Sequence, residues 1–122
     1  MGQKRILFID DNQGLQLILK VLLEKHGYRV YQAKNGEEAI GFLATHPPVD
    51  LIVLDLRMPT LNGVEFLKAM KDDRAFKETP LVILSGDPNA GQVAATYGAQ
   101  AYIPKGGDTN QFLDTVRKLT AA

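Results

Sequence analysis

The sequence contains no cysteine, which removes disulfide frameworks and thiolate metal centres from consideration. Histidine is nearly as scarce. His26 and His46 are the only two, each near an expected helix end, and they are too few and too scattered for a zinc centre. No apolar run approaches the ~20 residues that a membrane-spanning helix needs. The opening MGQKRILFIDD has a basic pair, but its short apolar stretch runs straight into two acids, so it does not read as a signal peptide. Ile6 stands where a myristoylation signal after Gly2 would want Ser or Thr. A cytoplasmic location is the expectation. Net charge is also missing, because 14 Lys and Arg balance 14 Asp and Glu, whereas a nucleic-acid surface leaves a basic excess. Neither direct nucleic-acid binding nor membrane insertion is expected.

What remains is a chain of 122 residues, 45% apolar and 23% charged, with no linker, low-complexity tract or short repeat. Residues 1–122 read as a single domain, long enough to bury roughly two thirds of its unfolded surface. Short apolar runs alternate five times with helical patterns. The runs are RILFI (5–9), YRVYQA (28–33), DLIVL (50–54), LVIL (81–84) and AYIP (101–104). Several are continuously apolar rather than alternating, as in strands covered on both faces. Between them lie stripes at helical spacing: Leu15, Ile18, Leu19, Leu22 and Leu23; Ala39, Ile40 and Leu43; Val64, Leu67 and Met70 or Lys71; Phe112, Val116 and Leu119. Asn35 with Glu38, Asn62 with Glu65 and Asp108 with Gln111 mark helix starts. Asp87-Pro88 reads as an N-cap with a first-turn proline, and Gly27, Gly98 and the HPP at 46–48 read as stops. A (βα)₅ string of this kind implies an α/β fold, with a parallel sheet and helices on both faces.

In such sheets ligands bind beyond the carboxyl ends of the strands. Strand one ends in Asp10-Asp11, strand three in Asp55, strand four in Ser85 and strand five in Lys105. Each has an ordinary explanation: Asp11 or Asn12 as a helix cap, Ser85 as a turn residue, Lys105 as a solvated loop lysine beside Gly106-Gly107. Those explanations do not account for four pointed strand ends at once. Carboxylates ~4 Å apart repel by about 4 kcal/mol at an effective dielectric near 20, so the cluster calls for a cancelling partner. Mg²⁺ (or Mn²⁺) suits oxygen ligands and phosphate. Lys105 supplies a mobile positive charge and Ser85 a hydroxyl donor. Together they suit in-line phosphoryl transfer onto a carboxylate, with Asp55 on the central strand as nucleophile.

These residues resemble the receiver domain of bacterial two-component response regulators, over essentially the whole chain. Acids follow strand one, LDLRMPTLNG is similar to the phosphoacceptor loop with Pro59 and Gly63 at the family's offsets, and Ser85 and Lys105 complete the set. Tyr102 stands at the position of the family's aromatic switch residue, with plain core packing as the alternative. The resemblance implies a flavodoxin-like sheet of order 2-1-3-4-5. It implies that Asp55 accepts a phosphoryl group from a histidine kinase or phosphotransfer protein. Asp11 and Asp55 would ligate Mg²⁺ with the backbone carbonyl of Arg57, Asp10 assisting through metal-bound water. Ser85 would move towards the phosphoryl group and Tyr102 into the space it leaves. The face of helix four, strand five and helix five would then bind a downstream protein or a second copy. The module would catalyse its own phosphorylation and dephosphorylation without being a turnover enzyme.

One departure stands out. The family carries proline, in a cis bond, directly after its lysine, whereas here Gly106 follows Lys105. Arg57 and Asp87 lie two residues past Asp55 and Ser85, and these equal offsets suggest a pair that screens the phosphoryl group from water. Competing readings are a phosphorylation-independent interaction module of the same fold, and an aspartyl phosphohydrolase. The latter wants a second carboxylate where Arg57 stands. A flavin site is a poor match, because DDNQG puts acids where a phosphate needs donors. The chain ends just past its last helical stripe, which fits a stand-alone regulator or one domain of a longer protein.

Overall fold

The computed structural model of the chain describes residues 3–46, 48–56 and 62–121. Its elements in order are β1 (Arg5–Ile9), α1 (Gln13–Lys25), β2 (Arg29–Ala33), α2 (Gly36–Thr45), β3 (Leu51–Leu54), α3 (Gly63–Met70), α4 (Arg74–Glu78), β4 (Leu81–Ser85), α5 (Ala90–Tyr97), β5 (Ala101–Pro104) and α6 (Thr109–Thr120). All five strands pair in parallel, in the order β2-β1-β3-β4-β5. Every expected strand is present, to within one residue at each end. No helix among the described residues is long and apolar enough to cross a membrane.

The continuous apolar runs are explained by two cores, one on each side of the sheet. Successive side chains of a strand point to opposite faces. Leu7 and Ile9 of β1, Ile52 and Leu54 of β3, and Ile83 of β4 therefore pack with Ala39, Phe66, Leu67, Met70, Ala90 and Ala94 from α2, α3 and α5. Ile6, Phe8, Leu51, Val53, Val82 and Leu84 face the other way, against Leu19 and Leu23 of α1 and Phe112, Leu113 and Val116 of α6. A strand with only one buried face could not carry such a sequence in water.

Helix ends follow local chemistry, with some differences from expectation. Asn62 and Glu65 form a full capping box, each side chain accepting from the other's backbone N–H at 3.0 Å. Asn35 accepts from Glu38 N–H, but the Glu38 carboxylate turns to Lys34 N–H instead of closing the box. Asp108 caps α6 through Asn110 N–H, without Gln111. Asp87-Pro88 does not start its helix. The Asp87 side chain accepts from Asn89 N–H in a turn, and α5 begins two residues later than expected, at Ala90. Gly27 and Gly98 do end helices, with φ of 89° and 71°, a left-handed conformation that costs glycine little.

Two further differences concern helices. α4 is an addition to the alternation, a single short turn capped by Asp73, so the fourth and fifth helices expected from sequence are α5 and α6. Ile18, assigned to the inward stripe of α1, is 64% exposed, and Gln16 is buried in its stead. Met70, not Lys71, closes the buried face of α3.

Candidate functional site

Strand order reverses between β1 and β3, which opens a crevice at their carboxyl ends. Asp10 and Asp55 follow these strands directly. The last rungs of the ladder hold them: Asp10 N–H donates to Ala33 O at 3.0 Å, and Asp55 N–H donates to Ile9 O at 2.9 Å. Both side chains are buried, while Asp11 is exposed. One carboxylate oxygen from each of Asp10, Asp11 and Asp55 lies within 4.8 Å of the others. Beneath Asp55, Gly63 N–H donates to Leu56 O at 3.0 Å. A Cβ at Gly63 would sit 2.6 Å from both Asp55 O and Leu56 Cα, so only glycine lets α3 start this close to the Asp55 backbone.

Lys105 reaches into the cluster from β5. Its Nζ lies 2.9 Å from Asp10 Oδ2 and 3.2 Å from Asp55 Oδ2. The departure after the lysine does not displace it. No peptide bond among the described residues is cis, and Gly106 makes the turn with φ 80°, while Lys105 N–H donates to Ser85 O at 3.2 Å. Burial pushes the Asp10 carboxyl above its usual range, only partly countered by Asn12 N–H and Lys105, and Asp55 adds a further upward push. For Lys105, burial pulls the ammonium down, but bonding to Asp10 and the charges of Asp10 and Asp55 outweigh it, so its pKa lies above the usual 10.5.

Three carboxylates against one ammonium leave a formal excess of negative charge. Asp10 Oδ1 accepts from Asn12 N–H at 2.9 Å. Asp10 Oδ2 is buried without an aligned hydrogen bond, though it lies in ion-pair contact with Lys105. An all-oxygen, anionic donor set with one ammonium for three carboxylates fits a hard divalent cation.

Ser85 is the last residue of β4 and is buried. Its Oγ accepts from Asp87 N–H at 3.1 Å, so the hydroxyl proton is not engaged in that bond. Tyr102 is 37% exposed, which sets plain core packing aside. Its ring lies over Gly91 of α5, 3.7 Å from where a Cβ would be. Arg57 and Pro59 lie outside the described residues, and with them the Arg57 carbonyl and the expected Arg57–Asp87 pair. One residue at the site escaped the sequence reading. Gln16, on the inward face of α1, donates through Nε2 to Asp10 O and Ala33 O. Its signal was a polar residue three positions before Leu19 and seven before Leu23, in line with that buried stripe.

Comparison with known proteins gives a consistent result. The response regulator receiver domain matches residues 6–117. Sporulation initiation phosphotransferase F of Bacillus subtilis (strain 168) is 30% identical over 118 residues, covering 97% of this chain and 94% of that protein. The CAI-1 autoinducer sensor kinase/phosphatase CqsS of Vibrio cholerae is 31% identical over 117 residues, covering 93% of this chain. The chain spans only 17% of the length of that sensor kinase. Among solved structures, the response regulator protein TrrA from Thermotoga maritima, in complex with Mg²⁺-BeF, superposes with a TM-score of 0.85 at 28% identity, over 96% of this chain and 99% of that one.

Proposed function

Because this chain belongs to the response regulator receiver family, we propose that it is a phosphorylation-controlled signalling module whose phosphoacceptor is Asp55. The observation that carries this reading is Lys105 Nζ set between Asp10 and Asp55, at 2.9 and 3.2 Å, within a three-carboxylate cluster. An acid trio with two members buried and a single ammonium has little structural merit of its own, since close like charges cost several kcal/mol. It makes sense as a cradle for a transferable phosphoryl group. The phosphotransferase name of the Bacillus relative and the Mg²⁺-BeF complex of the Thermotoga structure support the same chemistry.

In the proposed reaction an Asp55 carboxylate oxygen attacks phosphorus of a phosphohistidine on a kinase or phosphotransfer protein. The new P–O bond forms as the P–N bond breaks, and the electron pair leaves on the imidazole nitrogen. A divalent cation, Mg²⁺ or Mn²⁺, held by Asp10, Asp11 and Asp55, would neutralise charge on the phosphoryl oxygens. Lys105 moves from its ion pairs to a phosphoryl oxygen. The Ser85 hydroxyl donates to another, its oxygen still accepting from Asp87 N–H. The acid and lysine groups that accelerate transfer also serve hydrolysis, so the module turns itself on and off without being a turnover enzyme.

The signal leaves through α5, β5 and α6. Ser85 drawn to the phosphoryl group makes room for Tyr102 to leave its seat over Gly91, which changes this face for a downstream protein or a second copy. Phosphorylation has only to bias two existing states, and a complete reversal from 1:99 to 99:1 takes ~5.5 kcal/mol. The reading takes the whole chain as one receiver unit acting in the cytoplasm. The test is intact-mass measurement after incubation with acetyl phosphate, with and without Mg²⁺, using Asp55→Asn as control. One phosphoryl group added only with Mg²⁺, and not in the variant, is expected. Modification that persists in the variant would move the acceptor, and none under any condition would leave a phosphate-independent binding module.

A further inference from the structure

Gln16 is a buried polar residue in the inward stripe of α1, where its neighbours in register are Leu19 and Leu23. Leucine would pack there at no desolvation cost, whereas a buried carboxamide carries a desolvation penalty unless its polar atoms are paired. The pairing explains the residue. Its Nε2 donates both protons to backbone carbonyls, Asp10 O and Ala33 O, the latter at 2.9 Å. Ala33 O also receives Asp10 N–H, so the carboxamide ties the end of β1 to the end of β2 and to the helix.

The carbonyl of Asp10 belongs to the peptide unit that joins Asp10 to Asp11. That unit is planar, so fixing its oxygen fixes the axis about which the Asp11 side chain is carried. Asp10 is already held on its other side, since its carboxylate accepts from Asn12 N–H at 2.9 Å and Asn12 in turn caps α1 through Leu15 N–H at 3.0 Å. Asp11 is exposed and gains its placement through the backbone. We propose that Gln16 is a positioning residue for the divalent cation: it locks the Asp10–Asp11 peptide so that both carboxylates meet Asp55 in one cluster before any ion arrives. This inference rests on the receiver reading of the acid cluster and adds to it a residue that touches neither ion nor phosphoryl group. Partners that orient metal ligands from behind cost 10–100-fold in affinity when removed. The lower figure applies here, because the ligands stay and only their preorganisation is lost.

The test is Gln16→Met, which keeps length and helix propensity and removes both donors. Mg²⁺ affinity of the full chain is measured by calorimetry at a temperature where each protein is fully folded. Val116→Ala, in the α6 core, serves as a variant that loses stability away from the cluster. Gln16→Met is expected to bind Mg²⁺ about 10-fold more weakly and to need correspondingly more Mg²⁺ for half-maximal modification by acetyl phosphate. Its rate at saturating Mg²⁺ should stay within about twofold of wild type, the pattern of a lost binding term. Val116→Ala should keep wild-type affinity. Wild type that binds and Gln16→Met that binds equally well overturns the inference and leaves the receiver reading intact. Wild type that binds no Mg²⁺ overturns both. If Gln16→Met does not fold, the wild-type Gln16 side-chain amide resonances decide: they should be solvent-protected and shift along the Mg²⁺ saturation curve, and resonances indifferent to Mg²⁺ refute the proposal.

Discussion

Replacing Lys105 by methionine keeps the unbranched stem and removes the ammonium that lies 2.9 Å from Asp10 Oδ2 and 3.2 Å from Asp55 Oδ2. At an effective dielectric near 20, each contact is worth about 5–6 kcal/mol of attraction, and the Asp10–Asp55 repulsion at 4.8 Å or less is at least about 3.5 kcal/mol. Desolvation of the lysine offsets much of the attraction, and its side chain is 25% exposed. The net loss should therefore lie near the lower end of the 3–5 kcal/mol typical of a broken buried pair, about 3 kcal/mol. With a urea m-value of about 1.5 kcal/mol/M, the unfolding midpoint falls by roughly 2 M. The loss has a pH signature. Asp10 already titrates above its ordinary value of 3.8 because of burial, and Lys105 is among the groups that hold it down. Without the lysine, the folded variant keeps a proton on Asp10 where the unfolded chain has lost it. Folding then takes up a proton between the ordinary and the raised pKa, and stability falls as pH rises through that window. The stabilising effect of the wild-type lysine's own ionisation is fully present below 10.5 and is lost as pH rises from there through its raised pKa. The gap between the two proteins should thus be smaller near the ordinary aspartate value of 3.8 than at a higher pH, above the range in which Asp10 ionises, and saturating Mg²⁺ should narrow it. Equal midpoints at the higher pH, or a gap that does not change with pH, would refute the charge argument.

Three more outcomes follow from the geometry. Gly63→Ala forces a Cβ to within 2.6 Å of two backbone atoms, so urea unfolding should show a net loss of about 1–3 kcal/mol despite the better helix former; unchanged or higher stability would show that α3 can draw back from Asp55. Asn62→Ala removes the cap of α3 and should cost about 1 kcal/mol, with Asn62→Asp retaining most of it in the same assay. Mg²⁺ affinity should begin to fall, as pH is lowered, at a pH above the ordinary aspartate value of 3.8, because burial raises Asp10 and the proton competes with the ion; calorimetry showing constant affinity down to about pH 4 would contradict it.

Much of this arrangement was legible because hydrophobic pattern and topology leave few alternatives. Runs such as LIVL at 51–54 suit strands covered on both faces, and five strand runs separated by helical stripes bring residues 10, 11, 55, 85 and 105 to one edge. The capping pair Asn62 and Glu65 was readable for the same reason, since its chemistry is complete within four residues. What escaped depends on tertiary context. α4 spans five residues, Arg74–Glu78, too few to show a period. Ile18 was read as inward because apolar residues crowd α1, yet the sheet takes Leu19, Leu23 and the polar Gln16. Nothing local says that two carbonyls from different strands await a donor there. The turn after Lys105 was open from sequence, because a glycine permits several paths; a left-handed Gly106 with Lys105 N–H on Ser85 O is the one taken.

The central claim concerns one oxygen of one carboxylate, and borohydride reduction tests it most directly. An acyl phosphate on aspartate is reduced to homoserine, which marks the position permanently for peptide sequencing by mass spectrometry. After treatment with acetyl phosphate and Mg²⁺, homoserine should appear at position 55 alone, and it should vanish when the metal is chelated. Homoserine at position 10 or 11, or at 55 with no dependence on the metal, would contradict the account.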